Sequence, residues 1–243
     1  MSRTQVWFGQ TELTQYAIVS GWDTQLLPRE VSQRTVPAMD GAIYTGSRLA
    51  ERQITVRMAL AGHGMAQRQA EARTLAAILA TDGPARLEAS IDGGLYHMAV
   101  ATSTPDMTRM VGGLAFDVTF TCPDPVAYGT SRTVTVPSGG SVSFTVGGSY
   151  PTMPTVSAPA AKNGSGGFWS LALEDGSHLD ATIQSGLTSA PVVADCAGRT
   201  LTVNGDVALL QPAADWLRLA PGAHTLTMTG TGAATVTYDE RWL

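Results

Sequence analysis

Apolar and polar positions alternate most cleanly in the stretch FDVTFTC, where Phe116, Val118, Phe120 and Cys122 fall on one side and Asp117, Thr119 and Thr121 on the other. That period of two marks a half-buried strand. Pro123 and Pro125 end it, because proline brings no N–H to a ladder and steers the residue before it away from helix. A domain boundary is expected just beyond, near residue 130. Arg52–Leu60 repeats the alternation, with Ile54, Val56, Met58 and Leu60 on one face and Gln53, Thr55 and Arg57 on the other. Residues 64–81 change period: Ala72, Leu75, Ala76 and Leu79 recur at helical spacing, while Gln67, Arg68, Glu71 and Arg73 fill the other faces. An amphipathic helix is predicted there, stopped by Asp82-Gly83-Pro84.

Around these elements the signals are shorter. Residues 16–22 predict a strand, residues 23–33 a polar loop or edge strand, and VPAMDG at 36–41 a loop, since Asp-Gly supplies the positive φ of tight turns. Leu87, Ala89 and Ile91 lead into Asp92-Gly93-Gly94, and Tyr96, Met98 and Val100 lead out, which predicts a hairpin. Residues 105–113 read as a loop. Past Gly129 helical periodicity stops, and short strands alternate with turns. Strands are expected at 133–136 and 142–146, with Ser138-Gly139-Gly140 and Gly147-Gly148 between and after them and a glycine-rich loop at 163–167. Trp169, Leu171 and Leu173 run into Asp175-Gly176, Leu201 and Val203 into Asn204-Gly205, and Leu217 and Leu219 into Pro221-Gly222, each pair a strand and its turn; Val236 and Tyr238 close the chain. Turns about every ten residues predict a β-sandwich or jelly roll.

The fold class expected is therefore mainly β: an N-terminal β domain with one helix at 1–130, followed by a C-terminal β-sandwich at 131–243. Composition agrees, since only 14% of residues are charged and there are 26 Gly and 13 Pro. Net charge is −5, with ten Arg against twelve acids up to Gly129 and five bases against eight acids after it. Neither half has the cationic surface that grips phosphates. No apolar run reaches the length of a signal-peptide core or a bilayer span, so a soluble chain with no signal peptide and no membrane insertion is expected. Cys122 and Cys196 stand alone in different domains and are expected to be buried free thiols.

Candidate chemistry is sparse. His63, His97, His178 and His224 lie near predicted turns, where solvated side chains are expected, and none has the spacing that puts two imidazoles on one metal. Asp175, His178 and Asp180 in EDGSHLD lack the oxygen-ligand spacing of a calcium loop and are expected to shape a hairpin turn. The glycine run at 163–167 has no lysine and precedes a strand, so it does not cradle phosphate. Phe168, Trp169 and Trp216 are the aromatics available to stack on a sugar, although tryptophan in an apolar strand pattern is expected in the core. No catalytic, cofactor or metal residues are assigned, and no cofactor is expected.

In this order the chain resembles the distal tail protein family of long, non-contractile-tailed bacteriophages. The features that carry the resemblance are VPAMDG at 36–41, RQITVRMAL at 52–60, the single helix, the hairpin, FDVTFTCPDPVAYG at 116–129, YPTMP at 150–154, LALEDGSHLDA at 171–181, WLRLAPGAHTLT at 216–227 and the ending YDERWL. The chain departs from the family pattern at Ala38, where glycine is more usual, and at His224, where asparagine often follows the Pro-Gly. The resemblance implies that the sandwich is galectin-like and that the N-terminal domain forms a homo-hexameric ring. It implies a place at the virion tail tip as a baseplate hub, after synthesis in the host cytoplasm. There the ring joins the tail tube protein to tail-associated and receptor-binding proteins for host attachment and leaves a lumen through which DNA passes without specific binding. It is a structural role, not an enzymatic one. Two alternatives stay open: a carbohydrate-binding module with a weak glycan contact to the host surface, and a polysaccharide-degrading tail enzyme, which needs carboxylates converging in a cleft.

Overall fold

The computed structural model describes residues 4–26, 28–60, 62–102, 108–110, 113–158, 167–183, 191–208, 210–230 and 232–243. Its chain divides into two compact units whose bulk is Met1–Tyr128 and Gly129–Trp242. As the alternation predicts, the molecule is mainly β with one α-helix.

The first unit holds β1 (Val6–Phe8), β2 (Thr11–Glu12), β3 (Ala17–Thr24), β4 (Arg29–Arg34), β5 (Ile43–Leu49), β6 (Arg52–Leu60), α1 (Met65–Leu79), β7 (Ala85–Ala89), β8 (Tyr96–Ala101), β9 (Thr108–Met110) and β10 (Gly113–Cys122). Antiparallel neighbours run in the order β3-β6-β10-β8-β7-β1-β2, with β9 on the opposite end of β10 from β8. The register sets Phe116 opposite Met58, Val118 opposite Val56 and Phe120 opposite Ile54, so both apolar faces bury together. The sheet curls until β1 lies over β10, where the Phe8 and Phe120 rings meet with centroids 5.1 Å apart. Replacing a fully buried phenylalanine such as Phe120 by alanine costs about 3–5 kcal/mol in sites of this kind.

Helix α1 buries only Leu75 fully, and Ala72, Ile78 and Leu79 pack beside it. Ala76, expected on that stripe, is exposed. The covered stripe instead runs through Arg68 and Glu71, because these two hold the loop before the helix: Gly62 N–H donates to Glu71 Oε2 at 2.8 Å and Arg68 Nε–H to the Gly62 carbonyl at 2.9 Å. Two further expectations shift. In β8 the core takes His97 and Ala99, and the bulkier Tyr96, Met98 and Val100 are only half-buried. Ile91 falls in a 3-10 turn and is exposed. Part of the stretch expected as loop at 105–113 pairs as β9 and the start of β10; residues 103–107 and 111–112 lie outside the described residues.

The second unit takes most of β11 (Ala127–Val136), then β12 (Ser141–Val146), β13 (Thr155–Ala158), β14 (Gly167–Leu173), β15 (His178–Ile183), β16 (Val192–Asp195), β17 (Thr200–Val203), β18 (Asp206–Ala208), β19 (Gly222–Thr229) and β20 (Ala234–Trp242). One sheet runs β18-β17-β16-β13-β20-β11 and the other β12-β19-β14-β15. Both feed one core that includes Val156, Val192 and Val236 from the first and Trp169, Leu171 and Leu226 from the second. Phe144 of β12 meets Tyr238 of β20 at 5.9 Å between ring centroids, which makes the unit a sandwich. The Asn204-Gly205 turn has φ of 56° and 87°, the pair of positive values of a two-residue hairpin. Leu217 and Leu219 are fully buried but form no strand; their segment is tied down where Leu219 and Thr152 exchange two backbone hydrogen bonds of 2.8 Å. The glycine-rich loop expected at 163–167 lies outside the described residues up to 166, and Gly167 already belongs to β14.

The strictest backbone requirement in this unit is at Gly148, whose φ is 100° and where an added Cβ would sit 2.2 Å from the Arg241 carbonyl oxygen. Both the conformation and the contact forbid a side chain. Gly148→Ala is expected to destabilise the chain by about 3 kcal/mol in urea unfolding. A loss under about 0.5 kcal/mol would show that β20 can move away from the 147–150 corner without cost.

Candidate functional site

The hairpin β4–β5 stands apart from the core it belongs to. Every residue of β4 is exposed, and no described residue between Trp22 and Ile54 joins the apolar core of the first unit. Its own bonds keep it in shape: Glu30 pairs with Arg48 at 2.7 Å, and Ser47 Oγ accepts from Arg29 Nη1 at 3.0 Å and meets the Tyr44 hydroxyl at 2.8 Å. A lone two-stranded hairpin is marginal in water. This one displays Val31, Met39, Ile43 and Tyr44, with Tyr44 62% exposed. In the connecting turn Ala38 adopts a φ of 62°, a left-handed conformation that costs a non-glycine residue about 1–2 kcal/mol. The departure from glycine at this position is thus a strained turn at the hairpin tip.

A second surface is the outer face of β3-β6-β10. Here Asp23, Thr55 and Thr119 lie side by side, as do Gly21, Arg57 and Asp117. Arg57 forms an ion pair with Asp23, Thr55 meets Thr119 at 3.5 Å, and Thr102 meets Thr121 at 2.9 Å. One guanidinium against two carboxylates leaves this face without positive excess.

The sequence candidates for chemistry are scattered. His63 is exposed, whereas His97 is buried at 4% exposure, contrary to the expectation of a solvated ring. It is inside because β8 turns its small residues, Ala99 among them, toward the core. Burial, and then the Arg52 guanidinium, hold His97 down at about 4. Arg52 itself is 6% exposed, with no hydrogen-bond partner at Nε or Nη2 among the described residues. In the second unit Asp175 Oδ1 accepts from Ser177 N–H at 2.9 Å and from its hydroxyl at 2.6 Å, so EDGSHLD is a shaped turn as expected. Among the described residues no group of His, Cys, Asp and Glu is arranged to hold a metal, and no helix is long and apolar enough to cross a membrane. Trp169 is fully buried and presents no face to a sugar; Trp216 is half-buried against the same core, and the Phe168 side chain lies outside the described residues. Both cysteines are buried free thiols, and burial pushes Cys122 up to about 12 and Cys196 up to about 11, which leaves both thiols unreactive.

A phage tail protein RIFT-related domain model matches residues 11–122, and a model for the siphovirus-type tail component C-terminal domain matches residues 147–242. The chain belongs to the distal tail protein family of siphophages. It is a structural component of the phage tail. No curated protein matches this distal tail protein. Its fold is similar to the crystal structure of the Dit protein (gp 19.1) of phage SPP1, named a paradigm of the hub adsorption apparatus in phages that infect Gram-positive bacteria, at 21% identity and a TM-score of 0.83 with all of both chains covered. It is also similar to a chain of the phage P2 baseplate in its activated conformation with calcium, at 9% identity and a TM-score of 0.50, with 98% of each chain covered. At these identities the likeness is one of fold.

Of the β4–β5 strands only residues 23–33 were legible, as a polar loop or edge strand, and β5 gave no alternating signal, since β4 has no buried face to alternate. A sharper signal was the symmetry of short β-prone runs, Val31 before and Ile43-Tyr44 after the Asp-Gly turn. For the buried polar cluster the sign of the pH response is fixed. An unfolded His97 takes up its proton near 6.5 and the folded one only near 4, so the contribution is complete above 6.5 and lost as pH falls toward 4. Denaturant titrations of the full distal tail protein are expected to show about 3 kcal/mol lost from the first unit across that window. In His97→Gln that slope should be absent, and an equal slope in the variant would assign the acid response elsewhere.

Proposed function

We propose that this distal tail protein closes into a homo-hexameric ring through residues 1–130 and serves as the hub at the tail tip. The ring joins the tail tube protein to the tail-associated and receptor-binding proteins. The observation that carries the reading is the β4–β5 hairpin, whose apolar side chains Val31, Met39, Ile43 and Tyr44 are exposed and outside the core of their own unit. Each copy's hairpin seats on its neighbour, a head-to-tail contact that yields a ring when the rotation closes. The Dit protein of phage SPP1, which bears the same fold, is named for a hub of the adsorption apparatus, and this supports the same place here.

The outer face of β3-β6-β10 suits the wall of a DNA passage: its hydroxyls and its surplus carboxylate offer phosphates no cationic foothold. Residues 131–243 form an independently folded, galectin-like sandwich that docks and spaces neighbouring tail proteins and has no sugar-cleaving activity. Such folds host unrelated functions, so the fold by itself licenses no sugar site. The virion tail tip is its working place, reached after synthesis in the host cytoplasm.

Light scattering across a concentration series should give about six chains per particle. Tyr44→Asp with Val31→Asp should give a folded monomer with an unchanged far-ultraviolet circular dichroism spectrum. A wild-type chain that stays monomeric at every concentration, or a double variant that still forms the ring, would count against the hairpin-closed assembly. Residues 131–243 expressed alone should melt cooperatively; an unfolded product places the boundary elsewhere. A glycan array and a polysaccharide-hydrolysis assay on the full chain are expected to be blank, and turnover would make the protein an enzyme.

A further inference from the structure

His224 stands where β19 begins, and both of its ring nitrogens face oxygen atoms. Nδ1 lies 2.7 Å from Glu174 Oε1 and Nε2 lies 2.6 Å from the Ala220 carbonyl oxygen. A carboxylate and a carbonyl both accept, so both contacts are hydrogen bonds only when both nitrogens carry protons. Glu174 is anchored on its other side, where Oε2 accepts from Thr225 N–H at 2.7 Å, and these bonds hold its carboxyl below the usual range. The Phe144 ring closes over the imidazole with centroids 6.0 Å apart, and the His224 side chain keeps 12% of its exposure. His178, on the same hairpin as Glu174, is bracketed in the same way, with Nδ1 3.1 Å from the Gly176 carbonyl and Nε2 3.3 Å from Asp180 Oδ2.

We propose that Glu174, His224 and the Ala220 carbonyl form a proton-dependent clasp, closed when the imidazole carries two protons and open on the Ala220 side when it carries one. The single remaining proton stays on Nδ1, where the charged acceptor makes the stronger bond. The bare Nε2 lone pair then faces the Ala220 oxygen and repels it. What is released is the Ala220 end of the segment of residues 217–221, which the pair of bonds between Leu219 and Thr152 also ties down. The charged groups coupled to the ring are Glu174 and Asp175 from the β14–β15 turn; Arg218 of the released segment is exposed, and β12 sets Phe144 opposite His224 with Ser143 and Thr145 beside it. The clasp therefore links proton uptake to the seating of a buried pair, Leu217 and Leu219, at the end of the sandwich where the β14–β15 hairpin turns.

The test is hydrogen exchange on the full chain from pH 5 to 9, expressed as protection factors, together with a nitrogen-15 spectrum of the histidine rings. Protection of Leu219 and Thr152 is expected to fall about three- to tenfold in one step, the loss of one hydrogen bond, and the step should coincide with loss of the Nε2 proton of His224. Leu201 of β17 should show no step. Asn has a single amide donor group and cannot serve both acceptors, so His224→Asn should keep Leu219 at the low protection at every pH. A Leu219 protection that stays flat while Nε2 loses its proton, or a step retained in folded His224→Asn, overturns the clasp. The ring spectrum of the wild-type chain decides the matter even if the variant does not fold.

Discussion

The pairing of β6 with β10 is the constraint on which the first unit depends. Each strand is amphipathic by alternation, and the register places residue against residue so that Ile54, Val56 and Met58 meet Phe120, Val118 and Phe116 on one side. A slip of one residue would turn all of them to solvent. Four other elements of the unit cover this face: β1 returns over it through Phe8, β7 and β8 close it with Leu87 and Ala99, and α1 adds Leu75. Because the inner face is fully committed, the outer face is free to be polar, and its paired threonines and the Arg57–Asp23 ion pair satisfy one another across strands.

The second unit solves the same problem with two sheets. Its strands are short, so no single pairing carries the core, and the pooled burial of Trp169, Leu171, Leu226, Val156 and Val236 does. Corners between sheets then become the places where backbone geometry is critical. Gly148 against the Arg241 carbonyl is one, and the segment through Leu217 and Leu219 is another, a buried stretch with too few backbone partners to be a strand. Side chains such as Glu174 and His224 reach in from the neighbouring turn and hold that segment's end.

The two units also place their histidines in opposite electrostatic settings. His97 is buried beside a guanidinium that is itself short of partners, and added charge there is unfavourable. His224 has a carboxylate oxygen and a carbonyl oxygen at its two ring nitrogens.

Residues 116–122, 52–60, the helix and the turns at Asp175-Gly176 and Asn204-Gly205 were readable from the chain alone, because each is set by local periodicity or by φ values that few residues tolerate. The mainly β class and the single helix followed from them. What tertiary structure alone decided are choices between local equals. Alanine at position 76 could face either way, and the inner stripe of α1 went to Arg68 and Glu71 because they bond to Gly62. His97 went inside because β8 had to present Ala99 to a crowded core, although its larger neighbours looked more apolar. The hairpin β4–β5 has no inner face, so no alternation announces it; its exposure is visible only once the rest of the unit has closed without it. Alternation records which side of a strand avoids water, and it is silent on strands that bury neither side.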